Sequence, residues 1–248
     1  MIHAEYKRIV EDSEKAFLFI HGIVGTPDQF ADVIDLVPED VTLWNMLLDG
    51  HGGRAKDFAA TSMKKWEAQV ESAVDELSGS HKEIYIVAHS MGTLLAIEQA
   101  MKNSKILGLF FLQVPVRVAV SPRMITSGAR VLLDRISPDD LRTLAAKRCF
   151  GIKPTLNLFS YVAWLPRYFE LFKKMRDTRR VIPSVSIQCT AFQSDHDELV
   201  SRRSARFLRK HSSFRTFDMK DSGHFYYAES DLVTLRDELG KFIKGELR

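Results

Sequence analysis

One apolar run that ends in a serine constrains the fold of this chain more than any other stretch. Residues 84–89 are Ile-Tyr-Ile-Val-Ala-His, typical of a buried strand, and the helix-compatible residues Gly-Thr-Leu-Leu-Ala follow at 92–96. The sequence therefore predicts a strand that turns sharply into a helix, with Ser90 at the corner. Such a corner crowds the backbone and requires small residues two positions before and after the serine, which Ala88 and Gly92 supply.

The remaining apolar runs predict an alternation of strands and helices. Strands are predicted over 3–10, 16–20, 41–48, 107–113, 185–192 and 214–219, and helices over 28–36, 62–77, 91–103, 201–211 and 230–244. Strands joined through helices need crossover connections, which favour a mostly parallel sheet covered on both faces. A chain of 248 residues can form one large α/β domain with an insertion.

The strand rhythm stops between about 115 and 184. Ser-Pro pairs at 121–122 and 137–138, and Pro166, predict the starts of three or four short helices. Residues 1–114 and 185–248 are therefore predicted to form the core domain. Residues 115–184 are predicted to form a helical cap, or lid, over the carboxyl edge of the sheet, where parallel sheets bind ligands.

The predicted cap is strongly basic. From 115 to 185 the chain has 14 Lys and Arg against 5 Asp and Glu, a net charge of +9, whereas the remainder carries −6. These residues can simply be solvated helix faces, which is the favoured interpretation, or they can bind an anionic substrate or surface. The apolar residues of 115–184 can line an acyl pocket or merely pack the cap, so no individual substrate-binding residue is assigned.

Composition excludes several classes of function. The net charge of +3 is too small to indicate nucleic-acid binding, and no recognition motif accompanies it. No apolar run approaches the ~20 residues of a membrane span, and the first residues contain no apolar targeting segment. The two cysteines indicate no disulfide framework. We therefore expect a cytoplasmic protein without stable membrane insertion that acts on a small molecule, and its oligomeric state is left open.

The chemistry of Ser90 requires two partners. A serine hydroxyl is a poor nucleophile at neutral pH, so it needs an imidazole base, which in turn needs a carboxylate to orient it. His224 follows the last predicted strand, and Gly223 before it allows a tight turn. Three carboxylates follow the preceding strand, those of Asp195, Asp197 and Glu198.

The other histidines predict no metal or cofactor. His51 and His89 are expected to be structural. His196 stands beside Asp197, but no second histidine lies at metal-binding spacing.

With these motifs the chain resembles the α/β-hydrolase superfamily, in particular bacterial carboxylesterase and monoacylglycerol-lipase-like serine hydrolases. The motifs are His21-Gly22-x-x-Gly25-Thr26-Pro27, Gly50-His51-Gly52, Trp66, the serine corner (the nucleophile elbow of the family) and Gly223-His224. Ala88 replaces the usual first glycine of the elbow. The absence of a Gly-Gly-Gly oxyanion loop argues against the lipase branch that carries such a loop. The serine argues against the dehalogenase branch, where an aspartate occupies the elbow.

The resemblance implies an α/β-hydrolase fold and a catalytic triad of Ser90, Asp197 and His224. The family places its acid three residues before a valine that opens the next helical segment, which selects Asp197 over Asp195. An oxyanion hole is implied at the backbone N–H groups of Ile23 and Met91.

The expected function is hydrolysis of a carboxylic ester or thioester through an acyl-Ser90 intermediate, without a cofactor. The residues do not separate a carboxylesterase from a monoacylglycerol or lysophospholipid lipase or an acyl-thioesterase. A non-catalytic protein that binds a small ligand with the same fold is the alternative from another class. Such a protein would be expected to lose a member of the triad, and none is lost here.

Overall fold

A mostly parallel sheet of seven strands lies at the centre of the molecule. The computed structural model describes residues 3–155, 157 and 159–246. The strands are β1 (Tyr6–Arg8), β2 (Lys15–Ile20), β3 (Thr42–Asn45), β4 (Glu83–His89), β5 (Ile106–Leu112), β6 (Cys189–Ser194) and β7 (Phe214–Met219). Their spatial order is β1-β3-β2-β4-β5-β6-β7, in which β1 pairs antiparallel with β3 and the other pairs are parallel.

Nine α-helices are found among the described residues. They are α1 (Ala55–Ala60), α2 (Met63–Ser80), α3 (Met91–Ala100), α4 (Pro122–Leu132), α5 (Leu141–Cys149), α6 (Phe159–Val162), α7 (Leu165–Val181), α8 (Arg203–Leu208) and α9 (Glu229–Lys244). Within the described parts of the chain, no helix is both long enough and apolar enough to span a membrane.

Strand β2 shows why the sheet is covered on both faces. Its side chains alternate between two apolar clusters, with Leu18 and Ile20 in one and Phe17 and Phe19 in the other. Successive side chains of a strand point to opposite faces of the sheet. A strand that is apolar throughout must therefore be covered on both faces. Residues of α2 and α3 complete the first cluster, and residues of α9 and the 30–37 segment complete the second.

The prediction of a helix over 28–36 is wrong. That segment contains two short 3₁₀ turns, Pro27–Phe30 and Ile34–Leu36, separated by a break at Val33, whose φ is −142°. Valine and isoleucine lose side-chain freedom in a helix, and prolines at both ends of the segment leave little length for nucleation. The apolar face that suggested a helix is buried all the same, because Phe30 and Val33 belong to the second cluster.

Other boundaries differ by less. β3 and α8 are shorter than predicted, β6 begins at Cys189 rather than 185, and α1 was not predicted. The long helix after Ser62 is confirmed, and the Ser62 hydroxyl caps it by accepting a hydrogen bond from the Lys65 N–H at 3.2 Å. Strand β7 has the predicted bounds.

Helices α4 to α7 occupy the stretch from 115 to 184, of which 156 and 158 lie outside the described residues. Ser121 caps α4 as its Ser-Pro sequence predicts, whereas Asp140 rather than Ser137 caps α5. α7 is longer than expected, with 17 residues. We describe this stretch as the cap below, and its status as a separate domain remains a prediction.

Candidate active site

Ser90 lies at a strained corner between β4 and α3. Its backbone has φ 49° and ψ −120°, a region that residues with a side chain rarely adopt. The corner is held from two sides, since the Ser90 N–H donates to the Leu112 carbonyl at 2.9 Å and Gly92 packs against β2. A Cβ at Gly92 would lie 2.1 Å from the Ile20 carbonyl oxygen, so only glycine fits. Ser90 is 7% exposed.

His224 and Asp197 meet at the same edge of the sheet. His224 lies in the loop between β7 and α9, and Asp197 in the loop after β6. The His224 Nδ1–H donates to Asp197 Oδ2 at 2.8 Å, with Oδ1 at 3.0 Å, and the two side chains are 2% and 1% exposed. Asp197 Oδ1 also accepts the N–H groups of Leu199 and Val200 at 2.7 and 2.6 Å. A carboxylate held in this way requires the imidazole proton on Nδ1, which leaves Nε2 as an acceptor.

The three carboxylates of this loop have separate environments. Asp195 faces the surface, where it lies 3.5 Å from Arg202 and 3.6 Å from Lys220. Glu198 accepts the backbone N–H of His224 at 2.8 Å instead of contacting the ring. The structure thus brings Asp197, and neither of the other two, to the His224 imidazole.

Ser90 approaches this pair through its neighbour His89. The His89 Nε2–H donates to the His224 carbonyl at 2.9 Å, and the two rings pack edge to face with centroids 4.9 Å apart. Among the hydrogen bonds of the described residues, none joins the Ser90 hydroxyl to the His224 ring. Burial lowers the pKa of His89 to about 3, so this ring is neutral and acts as a spacer at neutral pH.

Ile23 and Met91 are both placed beside Ser90. A Cβ at Gly22 would lie 2.9 Å from the Ser90 Cβ, so the loop that carries Ile23 passes directly over the serine. Met91 is the first residue of α3, where backbone N–H groups have no partner within the helix. Across the described part of the chain, neither the Ile23 N–H nor the Met91 N–H donates a hydrogen bond. Two free donors at this position are what a developing oxyanion needs.

His21 and His51 support this loop rather than facing Ser90. His21 Nε2 accepts the Leu48 N–H at 3.0 Å, so its Nδ1 carries the proton and donates to the Gly22 carbonyl at 2.8 Å. Burial, together with repulsion from His51, holds the pKa of His21 well below its usual value. Burial likewise lowers the pKa of His51 to about 4. Both rings are therefore neutral at physiological pH.

Gln113 is a site residue that sequence reasoning missed. It directly follows β5 and has φ 60°, and its side-chain amide accepts the Ser194 N–H at 2.8 Å and donates to the Gly223 carbonyl at 3.2 Å. The same amide donates to the Ser194 hydroxyl, which in turn donates to the Gly223 carbonyl at 2.9 Å. Gln113 thereby ties β5 and β6 to the loop of His224. The only sequence signal for this role is an apolar strand that is followed directly by an amide side chain, at the carboxyl edge of the predicted sheet.

The cap reaches the loop of Gly22 to Gly25 through a backbone contact. The Gly151 N–H donates to the Val24 carbonyl at 2.7 Å, and the Gly151 carbonyl accepts the Gly52 N–H at 2.6 Å. A Cβ at Gly151 would lie 2.3 Å from the Gly25 carbonyl oxygen, so the two backbones are in direct contact.

Most basic side chains of the cap have acidic partners. At least nine of the 14 form ion pairs, namely Arg123, Arg130, Arg142, Lys147, Arg148, Arg167, Lys174, Arg176 and Arg180. Four ion pairs reach the rest of the molecule, where Arg142 lies near Glu198, Arg148 binds Asp32, and Lys174 binds Glu67 and Glu98. Much of the positive charge of the cap is therefore paired, and three of these cations join the cap to the core.

A cavity of about 300 Å³ borders the histidine loop. It is lined by Asp32, Leu141, Leu144, Ala145, Arg148, Phe225, Tyr226, Tyr227 and Leu232. Ser90 is not part of this lining. Phe225 links this cavity to the site of Ser90. It lines the cavity, and its ring packs on both His224 and His89.

No group of three or more His, Cys, Asp or Glu side chains suited to a metal ion occurs among the described residues.

Comparison with known proteins identifies the family. The model of the alpha/beta hydrolase family matches residues 17–236. The chain belongs to this family. A comparison with curated proteins found no match.

Solved structures of other α/β hydrolases are similar over nearly the whole chain. A structure described for LipS and LipT, two metagenome-derived lipolytic enzymes, matches with a TM-score of 0.75 at 16% identity, covering 98% of each chain. The monoacylglycerol lipase of Paleococcus ferrophilus gives 0.67 at 16%, covering 98% of this chain and 99% of that one. A loop variant of the haloalkane dehalogenase DbeA from Bradyrhizobium elkanii gives 0.63 at 15%, covering 98% and 96%.

These similarities confirm the predicted α/β-hydrolase fold. They also show that this α/β hydrolase shares its fold with lipolytic enzymes and dehalogenases alike, so the fold alone does not select the reaction.

Proposed function

We propose that this α/β hydrolase cleaves carboxylic esters through an acyl-Ser90 intermediate. The observation that carries the proposal is the buried hydrogen bond of 2.8 Å between His224 Nδ1 and Asp197, because the His224 ring packs on His89, the residue before the strained Ser90. A buried imidazole with its proton fixed on Nδ1 is prepared to accept a proton at Nε2. A serine hydroxyl is the group nearby that needs such a base.

The proposed reaction has two halves. His224 Nε2 takes the Ser90 proton as Oγ adds to the ester carbonyl carbon, and the imidazolium then gives this proton to the alcohol that leaves. Water, deprotonated by the same imidazole, attacks the acyl-Ser90, and the acid departs as the proton returns to Oγ. Asp197 stabilises the imidazolium in both halves without taking the proton. The Ile23 and Met91 N–H groups hold the oxyanion, each worth roughly 3–4 kcal/mol.

A serine at the elbow separates this proposal from dehalogenation. The haloalkane dehalogenases share the fold. The resemblance described above implies an aspartate at the elbow of the dehalogenase branch, whereas this chain has Ser90 there. Acyl transfer is the chemistry that a serine, a histidine and unoccupied backbone N–H donors perform together.

Small esters are the proposed substrates, because Ser90 is only 7% exposed. A series of p-nitrophenyl esters tests this, and we expect kcat/KM to be highest for short acyl chains and to fall as the chain lengthens. A maximum at long chains would favour a monoacylglycerol or lysophospholipid lipase, and faster cleavage of the matched thioester would favour an acyl-thioesterase.

We also propose a cytoplasmic location, supported by two cysteines that are both free and buried.

Labelling with a fluorophosphonate tests the reaction class. We expect an adduct on the peptide that contains Ser90 in the wild type and none in Ser90→Ala. Failure of the wild type to react would instead favour a ligand-binding protein that does not hydrolyse esters.

A matched pair of carboxylate variants tests the acid. Asp197→Asn removes the charge that orients His224 and is expected to lower kcat about 10³- to 10⁴-fold. Asp195→Asn changes a carboxylate two residues away that pairs only with surface cations, and kcat should stay within about twofold of wild type. Equal losses in both variants would contradict the assignment of Asp197.

A further inference from the structure

Glu198 is a partly buried carboxylate that the proposed reaction does not use. Its side chain is 12% exposed, and Oε2 accepts the backbone N–H of His224 at 2.8 Å. The fit is close, because a Cβ at the preceding Gly223 would lie 2.8 Å from Oε2. A charged acceptor on a main-chain N–H gives a strong, short hydrogen bond. Glu198 therefore fixes the position of the His224 backbone, whereas Asp197 fixes the orientation of its ring.

Arg142, in the first turn of α5, brings the cap to the same place. One guanidinium nitrogen lies 3.7 Å from Glu198 Oε1, and the other donates to the Asp221 carbonyl at 2.7 Å. The first nitrogen also contacts the His196 carbonyl at 3.5 Å. Arg142 thus spans the loop that carries Asp197 and the loop that carries His224. Its side chain is 21% exposed and lies against the Tyr226 ring, with 5.9 Å between the guanidinium carbon and the ring centroid.

The position of Arg142 is itself fixed at both ends of α5. Asp140 caps the start of the helix by accepting the Thr143 N–H at 3.2 Å. At the other end, Arg148 binds both oxygens of Asp32, at 3.2 and 2.7 Å. A guanidinium carried on an anchored helix is a rigid fork, unlike one on a free loop.

We propose that Glu198 and Arg142 are positioning residues that couple the cap to the catalytic base. Glu198 holds the backbone of His224, and Arg142 holds Glu198 and the two catalytic loops together from α5. Neither side chain contacts the reacting atoms. Small displacements of a base cost rate rather than substrate affinity, because the reacting groups lose their alignment. The inference rests on the proposed acyl transfer at Ser90 and deepens it.

Steady-state kinetics on a short p-nitrophenyl ester test the proposal. Arg142→Ala and Glu198→Ala are each expected to lower kcat about 10- to 100-fold while KM changes less than about threefold. Arg142→Lys and Glu198→Gln should recover part of the loss, since the lysine keeps a donor for the Asp221 carbonyl and the glutamine keeps an acceptor for the His224 N–H. The double variant should lose little more than either single one, because the two residues act as a unit.

Lys147→Ala is the matched control on the same helix. Lys147 pairs with the exposed Asp134 and contacts neither catalytic loop, so kcat should match wild type. Wild-type kcat in both alanine variants, or a loss confined to KM, would overturn the proposal.

Two further measurements keep the outcomes separate. The rate of fluorophosphonate labelling of Ser90 should fall in parallel with kcat. A wild type that is never labelled contradicts the proposed function itself, whereas equal labelling rates in wild type and variants contradict only the positioning role. If an alanine variant does not fold by circular dichroism, Glu198→Gln and Arg142→Lys decide, and wild-type kcat in both would overturn the inference.

Discussion

The helix after Ser90 and the first helix of the cap have nearly the same length, yet they are held in opposite ways. α3 buries eight of its ten residues, whereas α4 buries one of eleven, Ser127. Packing on all sides fixes α3, and with it the direction of the Ser90 hydroxyl. The cap is instead held through α5 and α7, by ion pairs with the core and by Leu171 and Met175, which belong to the first apolar cluster. The comparison teaches that Ser90 is placed by the core, while the cap can act on the site only where it is anchored.

Glycine substitutions should separate the two helices most strongly. In Gly92→Ala the new Cβ would lie 2.1 Å from a backbone carbonyl oxygen of β2, which cannot move without distorting the sheet. We expect the free energy of unfolding to fall by about 3 kcal/mol and the activity to be lost. In Gly128→Ala, inside α4, nothing lies within 4 Å of the new Cβ. That variant should gain about 0.5–1 kcal/mol, because alanine favours the helix. Urea denaturation measures both, and equal effects would contradict the contrast.

Buried polar side chains give the next contrast. Gln113→Leu removes the amide that joins Ser194 and Gly223, and should lower the free energy of unfolding by about 2 kcal/mol and kcat/KM at least about tenfold. Ser127→Ala in α4 removes one hydrogen bond to the Thr143 hydroxyl, which still donates to Asp140 at 2.7 Å. We expect a loss of about 0.5 kcal/mol and unchanged kcat/KM. A Gln113→Leu enzyme with wild-type kcat/KM would contradict the role of Gln113.

Acid should destabilise the core through its buried imidazoles. The pKa values of His51 and His89 lie at about 4 and 3 in the folded protein, below the usual 6.5, because both rings are buried. Between these pKa values and 6.5 the unfolded chain therefore binds protons that the folded state does not bind. The contribution of the two rings to the free energy of unfolding is fully present above pH 6.5 and is lost as pH is lowered toward 4. Each ring contributes up to about 1.4 kcal/mol per pH unit in this window.

Urea midpoints between pH 7.5 and 4.5 measure this loss. His51→Gln should make the curve less steep, whereas the cap, which has no histidine between 115 and 184, should contribute no such term. A curve that is flat from pH 7 to 5 would contradict the buried neutral rings.

Salt should have the smallest effect. Because most basic residues of the cap are paired, we expect kcat/KM for an anionic ester to change by less than about threefold between 0.02 and 0.2 M salt, relative to a neutral ester. A steep decrease would instead support attraction of an anionic substrate by the cap.

Local sequence was a good guide wherever burial dominates. The strand before Ser90, the helix after it and the capped helix after Ser62 follow from apolar spacing and capping residues. The segment 28–36 shows the limit, since its apolar residues are buried without forming an α-helix. Apolar spacing indicates which side chains turn inward, but it does not distinguish one α-helix from two short turns between prolines.

The sequence by itself determined the corner at Ser90, the order of strands and helices around it, and the set of candidate partners, because each of these depends on neighbours along the chain. The family resemblance favoured Asp197, but only the tertiary structure shows that this carboxylate meets the His224 ring, and it alone revealed Gln113, Glu198 and the cap residue Arg142 nearby. These contacts join residues up to 110 positions apart, as between Gln113 and Gly223. Their geometry depends on how three loops meet at one edge of the sheet, which no local pattern encodes.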